Sequence, residues 1–173
     1  IRKYLNTKTT MKIKVGFGYD VHQLKEGNEL WIGGIKIEHT KGTIAHSDGD
    51  VLIHAICDAL LGAANLRDIG FQFPDTAVEF SGIDSKILLK RTVELLEEKS
   101  FSVGNIDSTI CLQKPKLKDK IPEMQRILSK LLKINEDDIS IKATTTEKLG
   151  FVGKEDGISA YATVLIEKIV FIK

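Results

Sequence analysis

The chain has 173 residues, 42% hydrophobic and 28% charged, and its 25 Lys and Arg against 24 Asp and Glu leave a net charge of +1. So even a balance excludes the basic surface that nucleic-acid binding needs, and no apolar run reaches the ~18–20 residues of a membrane span. A domain of this size buries roughly 70% of its unfolded surface without staples; Cys57 and Cys111, each inside an apolar stretch, read as buried thiols of a reducing compartment rather than a disulfide.

Residues 1–10, IRKYLNTKTT, are basic, threonine-rich and free of acids, and they precede Met11. Two readings fit them equally: residues added for expression, or the stub of a cleaved organellar transit peptide. Either way they are expected to be a disordered stub before one domain over 11–173. KIKVGFGYDVH (12–22) and LWIGGIKI (30–37) read as strands joined by the polar, hairpin-like QLKEGNE. A helix follows, opening near Ser47 or Asp48 as the N-cap, with apolar positions 51, 52, 55, 56, 59, 60 and 63 at helical spacing. The stretch 65–82 reads as loop. Asp84 or Ser85 caps a second helix to about Lys99 with Leu88, Leu89, Leu95 and Leu96 inward. Residues 102–113 alternate as a strand, KPKLKDK is a basic loop, and Pro122 suits the first turn of a third helix. ISIKATTT (139–146) and ISAYATVLIEKIVFIK (158–173) are the last strands. This order predicts an α+β fold, a four- or five-stranded mixed sheet with helices on one face.

Chemistry-bearing residues concentrate in a few places. Asp20 and His22 flank Val21 near the end of a strand, and residues two apart share a face. His54, in AHSDGDVLIHAICDALLGAA (45–64), supplies a third donor, with Asp50 or Asp58 one helical turn away to orient its imidazole. Three protein ligands leave the fourth tetrahedral position for substrate, as catalytic sites do. The plainer alternative is that Asp20 and His22 simply end a strand and His54 faces solvent. His46 and Ser47 either hold a phosphate at the helix N-terminus or belong to a capping loop. In ATTTEKLGF (143–151), Thr144 and Glu147 fit a capping box, or the hydroxyls and carboxylate hold a hard cation with phosphate oxygens. LQKPKLK (112–118) is a solvated basic loop or a site. GFG at 16–18 lacks a third glycine for a dinucleotide fingerprint, and no GK[ST] P-loop exists.

Taken together, GxDVH at 18–22, IGGIKI at 32–37, KGTIAHSDGDVLIHAICDALLGAA at 41–64, DIGFQFPDT at 68–76, GNIDSTI at 104–110 and IKATTTEKLGFVGKEDGI at 141–158 resemble the 2-C-methyl-D-erythritol 2,4-cyclodiphosphate synthases. These are the ring-closing enzymes of non-mevalonate isoprenoid synthesis. The resemblance implies zinc on Asp20, His22 and His54, and a second cation, Mg2+ or Mn2+, on Glu147. It implies that His46 and Thr145 stabilise the transition state, with Ser47 joining His46 on the phosphates. Asp20, Val21 and His22 would touch substrate as well, and Asp68, Ile69 and Gly70 with Phe73, Pro74, Asp75, Thr76 and Ala77 would surround its methylerythritol part. Leu112, Gln113, Lys114, Pro115, Lys116, Leu117 and Lys118, with Thr144, Thr145, Thr146, Glu147, Phe151 and Lys154, would form the cytidine side. A homotrimer with its sites between adjacent chains is implied too.

Three positions depart from the family pattern. Ala77 stands where bacterial members often carry Asp, and Lys154 and Tyr161 replace an Arg and an acid that in some members face a central isoprenoid-binding cavity. Prenyl diphosphate binding is therefore not expected. Two rival functions remain open: a metal-dependent phosphodiesterase or pyrophosphatase using water, and a non-catalytic trimer with structural zinc, which needs a fourth ligand. Composition and residues 1–10 suggest a plastid-type organelle; the alternative is the cytoplasm of a bacterium.

Overall fold

The computed structural model describes residues 8–74 and 82–172. Its frame is a five-stranded mixed sheet in the order β4-β1-β7-β5-β6. The strands are β1 (Lys8–Glu26), β4 (Lys41–Thr43), β5 (Ser102–Cys111), β6 (Ile139–Thr144) and β7 (Gly157–Ile172). Only β5 and β6 run parallel; β1 and β7 form a long antiparallel ribbon that pairs Lys8 with Ile172 and Gln23 with Gly157. The sheet thus extends upstream of Met11, where the sequence reading expected a disordered stub; residues 1–7 of that stub lie outside the described residues.

Residues 30–37 are not one strand beside β1. They break into β2 (Leu30–Ile32) and β3 (Ile35–Ile37), a separate two-stranded ribbon. Gly33 and Gly34 have φ of +63° and +81°, the left-handed pair that a tight two-residue hairpin demands and that only glycine takes without strain. The partner on the edge of β1 is instead β4, a stretch to which the sequence reading assigned no element.

The helices are α1 (Val51–Ala63), α2 (Ile69–Gln72), α3 (Ser85–Glu98), α4 (Ile121–Leu132) and α5 (Gly150–Gly153). Helix α1 lies across β1 and β7, and α3 packs against it. The predicted apolar positions of α1 are all buried, and so are Ile53, Cys57 and Leu61, because the helix is covered on nearly every side. At Gly16 and Gly18 the helix meets bare strand backbone: an added Cβ would lie 1.9 Å from the Ala59 carbonyl oxygen and 2.0 Å from that of Ala55. This close approach, not nucleotide binding, accounts for GFG. In α3 the inward set is Leu88, Leu89, Thr92, Val93 and Leu96, while Leu95 is only half-buried.

Because side chains alternate along a strand, the odd residues of β1 leave the helices behind. Met11, Ile13, Val15, Phe17, Tyr19 and Val21 are 41–66% exposed, and Tyr161 of β7 joins them with its ring 4.9 Å from that of Tyr19. One sheet face is core; the other is a bare apolar surface.

Candidate active site

Strand β1 puts Asp20 and His22 on its helix-facing side, and α1 brings His54 down onto them. Asp20 Oδ2 is 3.0 Å from His22 Nδ1 and 3.1 Å from His54 Nδ1. One ligand atom from each of the three falls within 4.8 Å of the others, and the imidazole centroids are 5.2 Å apart. His22 Nδ1 is buried and, apart from its contact with Asp20, has no protein partner, so a buried nitrogen faces the gap between the donors. An oxygen and two imidazole nitrogens around one point suit a divalent ion such as zinc, with a corner left for substrate. Neither cysteine joins the group: Cys57 is buried, its thiol pushed up to about 12 by burial. Among the described residues no fourth His, Cys, Asp or Glu joins the three.

The electrostatics favour a cation. Burial pushes the Asp20 carboxyl up, but hydrogen bonds and positive charge from His22 and His54 outweigh it and bring its pKa to about 2. Burial lowers the pKa of His54, and the hydrogen bond to Asp20 with its negative charge more than reverses this, leaving it raised.

The partners expected to orient His54 do other work. Asp50, not Ser47 or Asp48, caps α1: its buried carboxylate accepts from Ile53 N at 3.0 Å, Gly33 N at 2.9 Å and Gly34 N at 2.7 Å. Asp58 accepts from Ile69 N at 2.7 Å and so anchors α2. The groups that touch His54 are Ser85 Oγ, 2.9 Å from Nε2, and Ser47 Oγ, 3.3 Å from the same nitrogen. Ser85 was visible in the sequence only as a helix-cap candidate, and Asp48, which holds it, only as a cap of α1.

His22, His46, Ser47, His54, Ile69, Gly70 and Phe73 line one cavity of about 280 Å3 beside the three donors. Asp68 stands at its edge as the N-cap of α2, accepting from Phe71 N, and Pro74 follows exposed. Asp75, Thr76 and Ala77 lie outside the described residues. Val21 turns to the opposite sheet face, so its side chain does not reach this cavity. The helix N-terminus suggested for phosphate is already satisfied by Asp50, which leaves the side chains of His46 and Ser47 as the polar groups of that wall.

A second, separate cavity of about 390 Å3 is lined by Leu112, Gln113, Pro115, Lys116, Leu117, Lys118, Thr144 and Thr145, with Ile121 and Ala143. Leu112 N donates to Thr144 O at 3.0 Å, and Lys148 N to Gln113 Oε1 at 3.4 Å, binding the loop to the turn after β6. The capping box does not form. Glu147 has φ +52°, Thr145 Oγ1 donates to its Oε1 at 2.7 Å, and Thr146 Oγ1 donates to Leu149 O at 2.7 Å. Lys114 pairs with Glu155 at 3.2 Å, while Lys154 and Phe151 are exposed just beyond. Within one chain Glu147 does not join the Asp20 group.

The sequence model of the YgbB family matches residues 13–167. A Bacteroides fragilis protein named 2-C-methyl-D-erythritol 2,4-cyclodiphosphate synthase is 69% identical over 159 residues, covering 92% of this chain and 100% of that one. Among solved structures, the bifunctional IspDF from Campylobacter jejuni is 42% identical with a TM-score of 0.88; the match covers 94% of this chain, which spans only 44% of that protein. IspF of Plasmodium falciparum, solved as a CDP complex, is 36% identical with a TM-score of 0.78, covering 89% and 95%. So high an identity to a bacterial protein supports the bacterial alternative, and the plastid-type compartment is without support. No helix of the described residues is long and apolar enough to cross a membrane.

Proposed function

The chain belongs to the YgbB family, and from that membership we propose that Asp20, His22 and His54 hold the catalytic zinc of a 2-C-methyl-D-erythritol 2,4-cyclodiphosphate synthase, within one domain over 11–173. The reaction takes 4-diphosphocytidyl-2-C-methyl-D-erythritol 2-phosphate to 2-C-methyl-D-erythritol 2,4-cyclodiphosphate and CMP. An oxygen of the 2-phosphate bonds to the β-phosphorus, the bond from that phosphorus to the bridging oxygen breaks, and its electron pair leaves on CMP. The convergence of one carboxylate and two imidazoles beside a cavity of about 280 Å3 is the observation that carries this reading.

The obstacles are repulsion between two anionic groups and the free rotation of an open chain. A divalent cation on the three ligands supplies positive charge against the phosphate oxygens and draws charge from the attacked phosphorus. The protein's own part is to hold the substrate bent: His46 and Ser47 on the phosphates, and Asp68, Ile69, Gly70 and the segment 73–77 around the carbon chain. Such preorganisation contributes up to ~7–11 kcal/mol in favourable intramolecular reactions. The attacking phosphate is already ionised, so no general base is required, in keeping with a site of metal ligands and hydroxyls.

The cytidine side falls to 112–118 and 144–146, with Phe151 and Lys154 at its rim, Thr145 at the transition state and Glu147 on a second cation, Mg2+ or Mn2+. The 112–118 loop with Thr144 and Thr145 lines one cavity and His22 and His54 another, so a complete site takes its halves from neighbouring chains. The bare apolar row on β1 supports that assembly as a homotrimer, since a monomer rarely leaves so continuous a patch in water.

Phosphorus NMR of the product tests the reaction. A cyclic diphosphate with equimolar CMP is expected, and it disappears in His54→Ala along with zinc found by elemental analysis. An opened monophosphate, or full turnover in protein free of metal, refutes the assignment.

A further inference from the structure

The hydrogen bonds around the N-terminus of α3 carry one inference more, resting on the reading that Asp20, His22 and His54 hold a divalent cation. Ser85 is fully buried as the first residue of α3. Its backbone N–H donates to Asp48 Oδ2 at 2.9 Å, and its hydroxyl forms a short hydrogen bond with Asp48 Oδ1. Asp48 Oδ1 also accepts from Asp50 N at 3.2 Å. An ionised carboxylate only accepts, so the Ser85 hydroxyl proton is committed to Asp48. What the Ser85 oxygen then offers His54 Nε2, 2.9 Å away, is a lone pair, and the proton between them belongs to the imidazole. Ser47 Oγ, which accepts from Gly49 N at 3.1 Å, is a second and more distant partner for the same Nε2–H. The far nitrogen of the ring, Nδ1, is the one that faces Asp20.

We propose that Ser85, with its hydroxyl oriented by Asp48, is a positioning residue of the metal centre: it keeps a proton on His54 Nε2, so that Nδ1, which faces Asp20, is the nitrogen that gives up its proton and turns its lone pair to the cation. On the β1 side Asp20 Oδ2 meets Nδ1 at 3.1 Å, and the opposite nitrogen is held from elsewhere. The clamp comes from α3, an element that contributes no ligand. Buried polar groups that hold a ligating imidazole in this way set both the tautomer and the ring orientation.

The experiment is titration of apo-protein with Co2+, read by its visible absorption, for wild type, Ser85→Ala and Ser85→Thr. Ser85→Ala is expected to bind about 10–100-fold more weakly while its thermal midpoint stays within about 8 °C of wild type, the loss of the two hydrogen bonds of the hydroxyl. Ser85→Thr, which keeps the hydroxyl, returns most of the affinity. Long-range 15N–1H NMR of the zinc-loaded wild type should show a proton on His54 Nε2 and metal on Nδ1. Affinity in Ser85→Ala within about twofold of wild type, or metal on Nε2, overturns the proposal. No cobalt uptake by the wild type overturns the metal centre itself and this clamp with it. Should Ser85→Ala not fold, Asp48→Asn carries the same titration with hydroxyl and helix in place, and an unchanged affinity there overturns it equally.

Discussion

Asp50 is where removal of one side chain reaches furthest from its own position. It is fully buried, and its two oxygens accept three backbone N–H bonds, from Gly33, Gly34 and Ile53, at 2.7–3.0 Å. Asp50→Ala removes the cap of α1, worth about 1 kcal/mol, and leaves two glycine amides of the hairpin turn buried without acceptors, at about 1–3 kcal/mol each. The expected loss is about 3–5 kcal/mol, in the range for breaking a buried charged network. At about 2–4 °C per kcal/mol for a chain of this length, the thermal midpoint falls by about 6–20 °C. Asp50→Asn leaves one acceptor for three donors and is expected to lose about 1–3 kcal/mol. Burial pushes the Asp50 carboxyl up, and the three amide donors do not fully offset it. The folded chain therefore takes up this proton at a higher pH than the unfolded chain. Stability lost to the buried charge at neutral pH is recovered as pH falls through the folded value towards the unfolded one, ~4. The gap between wild type and Asp50→Asn should then widen on acidification. Urea unfolding at several pH values measures both effects. A loss below about 1 kcal/mol in Asp50→Ala, or a gap that narrows towards acid, refutes the reasoning.

Gly18→Ala forces a methyl against the carbonyl of Ala55, the residue after His54, and should cost about 1–3 kcal/mol as overpacking while weakening zinc uptake; calorimetry and a metal titration read both. Glu147→Gln should cut kcat and shift the Mg2+ or Mn2+ dependence with zinc content unchanged, and an unaltered cation profile removes Glu147 from its role. Phe17→Asp places a charge in the middle of the apolar row, where the native ring is 66% exposed. Light scattering should then find monomers, with turnover lost although every zinc ligand of the chain is intact.

Much of this was legible in the sequence for identifiable reasons. The two-residue period of a strand put Asp20 and His22 on one side, and the strong helical period of 51–63 put His54 on a buried helix. Four strands of the sheet, β1, β5, β6 and β7, and the three long helices followed from the same periodicities. The hairpin at Gly33–Gly34 was missed because IGGIKI is apolar apart from Lys36, so only the glycine pair marked the break. The cap of α1 was misplaced by two or three residues because Ser47, Asp48 and Asp50 are all competent caps, and the choice depends on a distant turn needing Asp50. The surroundings of His54 were illegible for a similar reason: Ser85 lies 31 residues away, and no local pattern distinguishes a hydroxyl that caps a helix from one that also touches an imidazole. The capping box at Thr144 and Glu147 failed because the chain turns left-handed at Glu147 and Lys148 before any helix begins.

The long ribbon β1 has one further consequence. Asp20 sits between Tyr19 and Val21, so each inward donor is one peptide plane from an outward apolar neighbour. No substitution along 19–22 is private to one side: a change on the exposed apolar face also moves the backbone that carries Asp20 and His22, and the reverse holds. Drift on either surface is limited by the demands of the other, and this short run should be the slowest part of the chain to change.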